Sequence, residues 1–129
     1  MASAITPASL APPFARYSHG VTVEAGQRLV FVSGQLGIAP DLSVPESVEA
    51  QAELCFQSIG TILAAAGLDF GHVVKLTAYV TDRAHMPGYM TVRDRYAREP
   101  LPASTLLIVS GFTRAEFKVE VEAIAAGPA

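Results

Sequence analysis

Between Glu46 and Ala66 the chain reads "ESVEAQAELCFQSIGTILAAA", and its apolar residues recur three and four apart. Val48, Ala52, Cys55, Ile59, Ile62, Leu63 and Ala66 fall on one apolar stripe of a helix. Pro45 suits the start of such a helix and Gly67 its stop. A helix that is apolar on one side must bury that side against another layer, so this segment requires a partner surface.

The rest of the chain supplies strands for that surface. Short strands are expected near Val21–Glu24 and Leu29–Ser33, joined as a hairpin by a turn at Gly26, with Gly34 ending the second. "HVVKLTAYVT" at 72–81 is rich in β-branched residues and reads as a third strand. A second helical stretch, "HMPGYMTVRDRYAREP", puts Met86, Met90 and Arg93 near one face and Tyr89, Val92 and Tyr96 near another. A strand from about Ser104 to Val109 follows "LPA", and "KVEVEAIA" alternates strictly from Lys118 to Glu122. The order is ββαβαββ, an α+β arrangement of a single sheet with two helices on one face. At 129 residues the chain is one domain, 1–129, with a Pro-, Ala- and Ser-rich loosely structured N-terminal arm over 1–15. The sheet face away from the helices is left uncovered unless subunits share it, which points to an oligomer.

Charge and cysteine content limit the functional classes. Nine basic and 12 acidic residues give a net charge of −3, with no general attraction for nucleic acid or an anionic membrane. The absence of Trp and a basic aromatic patch disfavours base stacking, so nucleic acid is an unexpected partner. No apolar run approaches the roughly 20 residues needed to span a bilayer, and "MASAITPASLAPPF" lacks the build of a signal peptide. No membrane association and a cytoplasmic location are expected. Cys55 alone cannot form an intrachain disulfide, and its place on the helix stripe makes it a small core hydrophobe. His19, His72 and His85 are widely separated, so no metal site is expected.

Two positions have a physical claim to a site. Gly34 in "FVSGQ" lets a backbone donor approach a ligand, or simply makes a turn. Glu120 and Glu122 share one face of the last strand while Val119 and Val121 face the helices. Either carboxylate could position water or move a proton in a cleft between subunits, and alternation does not choose between them.

Taken in order, "YSHG", "LVFVSGQLG", "ILAAAGLDFGHVVKLTAYVTD", "YMTVRDRY", "PLPAST" and "VEVEAIA" resemble the reactive intermediate deaminase (RidA, formerly YjgF) family over nearly the whole chain. The family is also called translation-inhibitor or L-PSP endoribonuclease-like. The resemblance implies a chorismate-mutase-like fold and a homotrimer with ligand clefts between subunits. It implies a small-molecule metabolite as partner, and hydrolysis of 2-imino or 2-enamino acids to 2-keto acids and ammonia with no metal or organic cofactor. It implies Tyr17 and Glu120 as catalytic residues, with Ser33, Gly34, Ser104 and Thr105 lining the pocket. Deaminating members carry Pro-Ala-Arg-Ser where this chain has Pro102-Ala103-Ser104-Thr105, and the arginine clamps the substrate carboxylate. A serine hydroxyl supplies no such clamp, and Met90 stands where the family has asparagine. Arg16 and Arg93 are the candidate replacements. Two readings follow: an enamine or imine deaminase, or related hydrolase, of altered specificity, and a noncatalytic trimer that binds a metabolite or acts as a regulator.

Overall fold

A computed structural model of the chain describes residues 2–129. Its elements are β1 (Ala2–Ile5), β2 (Gly20–Val23), β3 (Arg28–Leu36), α1 (Val48–Ala65), β4 (Val73–Val80), α2 (Met86–Tyr96), β5 (Ala103–Ile108) and β6 (Val119–Gly127). The main sheet has the order β3-β6-β4-β5, with β6 antiparallel to both neighbours and β5 parallel to β4. β4, α2 and β5 therefore form a parallel crossover unit, as a parallel pair requires.

The expected helices and their burial are present. The Ser47 side chain caps α1 by accepting from the Ala50 N–H at 3.1 Å, two residues beyond Pro45. At the other end Gly67 takes φ 75°, and the Leu68 N–H returns to Leu63 O at 2.8 Å, closing the last turn. Pro87 sits in the first turn of α2, where its missing N–H costs no helical bond, so Pro87 and Gly88 do not interrupt the helix. Ala52, Cys55, Phe56, Ile59 and Leu63 of α1 pack with Tyr89 and Val92 of α2 over Leu76, Ala78, Val80, Val119 and Val121 of the sheet. Phe56 joins the helices, its ring stacked on Tyr96 at 5.0 Å and on Tyr89 at 6.1 Å. The opposite sheet face carries Lys75, Thr77, Tyr79, Glu120, Glu122 and Phe31, none of them buried.

Three details differ from the sequence reading. Ala2–Ile5, inside the segment expected to be loose, is a strand paired antiparallel with β2. The turn at Gly26 forms, with φ 86°, but no ladder joins β2 to β3 among the described residues. The hairpin is replaced by a separate β1–β2 ribbon, because β3 takes β6 as its partner instead. Finally, β3 does not end at Gly34. It runs to Leu36 through a bulge in which Ser33 and Gly34 together face Glu122 between the pairs Val32–Ala123 and Gln35–Val121. No described helix is long and apolar enough to cross a membrane.

Candidate functional site

Nearly all the singled-out residues gather in two clusters, one on the open sheet face and one at the β5 edge. The first is built by the β3 bulge. Its extra residue bends the strand, and Gly34 leaves room for the side chain of Glu120. A Cβ on Gly34 would stand 2.7 Å from both Cδ and Oε2 of Glu120, so the carboxyl lies directly against the glycine backbone. Glu120 has no hydrogen-bond partner among the described residues. Partial burial, then the neighbouring Glu122 charge, holds its carboxyl above the usual carboxylate range. Glu122 is engaged differently: the Tyr79 hydroxyl donates to its Oε1 at 2.5 Å. That bond, followed by burial, raises the Tyr79 phenol above its ordinary value. Alternation alone does not separate the two glutamates, whereas the diagonal Tyr79–Glu122 bond leaves Glu120 as the unengaged acid. Ser33 and Glu122 border a neighbouring hollow of about 280 Å³, with Phe31, Lys75 and Thr77.

The second cluster lies on the other side of the sheet edge. Ser104 is in register with Leu76, which points to the helices, so Ser104 faces α2. The preceding arm is held alongside β5 by the Ser18 N–H to Pro102 O (2.9 Å), the Ser18 hydroxyl to Leu101 O (2.6 Å) and a bridge to Ala103. This places Tyr17 beside Ser104. Together with Met90 and Arg93 they line a cavity of about 200 Å³. Arg93 comes from the α2 face that also carries Met86 and Met90, and its side chain is only 4% exposed. Its Nε and Nη2 both donate to Asp94 Oδ1, at 3.2 and 3.0 Å.

Two expected residues lie elsewhere. Thr105 points to the face opposite Ser104, where its hydroxyl accepts from Lys75 Nζ at 2.7 Å. Adjacent residues of a strand cannot line the same side of it. Arg16 extends past the cavity to the Ala97 carbonyl (3.4 Å), at the C-terminal end of α2. Phe14, Ala15, Met86 and Leu106 complete the cavity wall and escaped the sequence reading. Met86 was signalled by its place four residues before Met90, and Leu106 by its place two after Ser104. Phe14 had no comparable signal.

The histidines serve local structure. His72 receives the Asp69 N–H in a capping box, His19 contacts Ala11 O at 2.7 Å, and His85 lies 3.4 Å from the Thr81 hydroxyl. Among the described residues no group of three or more His, Cys, Asp or Glu side chains is placed to hold a metal.

Residues 8–127 match the family model described as Endoribonuclease L-PSP. The chain is 40% identical to Protein DfrA of Myxococcus xanthus over 111 residues, covering 84% of this chain and 83% of the relative. It is 35% identical to 2-iminobutanoate/2-iminopropanoate deaminase of Mus musculus over 121 residues, or 92% and 84% of the two chains. Its fold superposes with a TM-score of 0.84 on YyfB of Yersinia pestis, a protein of unknown function in the Rid family. That likeness covers 96% of this chain and 97% of the other at 23% identity.

Proposed function

Since the chain belongs to the L-PSP endoribonuclease, or reactive intermediate deaminase, family, we propose that it is an enamine or imine deaminase with altered substrate choice. The observation that carries this reading is the Glu120 carboxyl, unpaired and seated against Gly34 with its proton affinity raised. Such a group can take a proton from water as the water adds to the electrophilic imine carbon. It can then return that proton to the nitrogen and accept the hydroxyl proton as the C–N bond breaks, so that ammonia leaves behind a keto group. An enamine first gains a proton at carbon to become the iminium. The iminium carbon is already electrophilic, so orientation and one proton carrier are the main requirements.

Glu120, Ser33 and Gly34 lie on the open face, whereas Tyr17, Met90, Arg93 and Ser104 lie at the β5 edge on the helix side. Within a single chain the two clusters stand on opposite faces of the sheet. This division supports a homotrimer in which the open face of one subunit meets the edge of the next, closing a cleft between them. The neutral Ser104 hydroxyl favours a second reading, a trimer that binds a metabolite without converting it. A cytoplasmic location remains proposed on the sequence grounds given above.

Ammonia release from freshly generated 2-aminoacrylate-type imines and from aminomuconate tests the proposal, with Ser104→Arg and Glu120→Gln measured alongside. Turnover by the wild-type protein should fall about 10²- to 10⁴-fold in Glu120→Gln. Turnover of the simple imino acids at the same rate by wild type and Ser104→Arg would remove the altered specificity. Saturable binding with no turnover of any imine would leave the binding protein.

A further inference from the structure

Arg93 is the most deeply buried cation described in the chain, with 3% of the residue exposed, and Asp94 occupies only one side of it. Burying a charge is costly unless it is paired and hydrogen-bonded. A guanidinium has five N–H donors, and here Nε and Nη2 converge on a single carboxylate oxygen. Nη1 has no partner among the described residues, and Arg93 lines the cavity that Ser104 and Tyr17 share. Asp94 is 41% exposed on its own account, so it holds the plane of the guanidinium while remaining largely hydrated.

The rest of the cavity wall is apolar. Phe14, Ala15, Met86, Met90 and Leu106 line it beside the polar groups, and the Tyr17 ring meets Phe14 edge-on at 5.8 Å. A charged donor in the wall of a mostly apolar cavity of about 200 Å³ selects a molecule with an anionic head and an apolar body. We infer that Arg93 is the carboxylate anchor of this site, and that its ligands are 2-imino, 2-enamino or 2-keto acids with a bulky apolar or aromatic side chain. Nη1 donates to the carboxylate, the Ser104 hydroxyl contributes a neutral second bond, and the methionines adapt to the side chain. The inference rests on the deaminase reading for its imino-acid class, but the anchor itself is a statement about binding.

Binding to the full-length protein is measured by calorimetry with three probes: phenylpyruvate, its neutral counterpart 1-phenylpropan-2-one, and pyruvate. Phenylpyruvate should bind at least about tenfold more tightly than either, because one of the others lacks the charge and one lacks the apolar body. Arg93→Gln should abolish that preference over the neutral ketone, and Arg93→Lys should restore part of it. Equal affinity for phenylpyruvate and the ketone overturns the anchor, as does unchanged phenylpyruvate binding in a folded Arg93→Gln. If Arg93→Gln fails to fold, the wild-type comparison of the three probes still decides. Selective phenylpyruvate binding without ammonia release from any imine keeps the anchor and removes the deaminase. Ammonia release that Arg93→Gln leaves unchanged keeps the deaminase and overturns the anchor.

Discussion

Cys55 illustrates how far a single residue could be read. Its position on the α1 stripe predicts a core side chain, and it is fully buried, with Sγ 3.9 Å from the Val119 carbonyl. Burial first, and the Glu120 charge second, push its thiol up to about 12 from 9.0. The folded protein keeps this proton to a higher pH than the unfolded chain does. Cys55 is thus neutral to stability below about pH 9 and erodes it as the pH climbs toward 12. Iodoacetamide at pH 8.5 should leave the native thiol unlabelled for hours and modify it within minutes in guanidinium. Fast native labelling would mean that the helix face opens. Residue pairs were less legible. Tyr79 lies opposite Glu120 in the register of β4 and β6, yet its hydroxyl reaches diagonally to Glu122, a choice that no local pattern states.

At the level of elements, local periodicity predicted what each segment forms better than what it pairs with. Helices α1 and α2 and the alternating β6 emerge as expected, because burial on one face imprints a period on the sequence. The β2–β3 hairpin fails because a glycine turn makes a reversal without choosing the ladder, and β3 finds its partner some 90 residues away. Ala2–Ile5 carries no strand signature of its own and is ordered by the edge that β2 offers. Gln51 shows the same dependence on distant chain. Fully buried in α1, it donates to the Pro45 and Glu116 carbonyls at 2.9 and 2.8 Å and accepts from the Lys118 N–H at 2.8 Å. Gln51→Leu should therefore cost about 2–4 kcal/mol by stranding three backbone groups, seen as a lower urea midpoint at unchanged slope. A midpoint within error of wild type would show that water replaces the amide.

For the whole molecule, the open sheet face matters most. Phe31 is 71% exposed there, and Leu107 of β5 is 47% exposed. The proposed trimer predicts a solution mass about three times 13.6 kDa by sedimentation or light scattering. Phe31→Glu should dissociate it and abolish turnover together, whereas a monomeric wild-type protein with full activity would refute the shared cleft. The two-cluster arrangement was invisible in sequence because it depends on distant partners: β3 and β6 build one cluster, and the arm held to Pro102 brings Tyr17 to Ser104 in the other.

The bulge in β3 has one more consequence. Ahead of Ser33 the odd-numbered Phe31 shares a side with Ile124, whereas beyond Gly34 the even-numbered Leu36 shares that side with Glu120. The strand is thus written in two frames joined at a one-residue shift. Losing either residue of that joint would merge the frames, so that β3 pairs one-to-one with β6 and both halves keep their faces. Substitution at the joint changes a side chain, but deletion there removes the bend that seats Glu120 against Gly34 and leaves the rest of the strand in place.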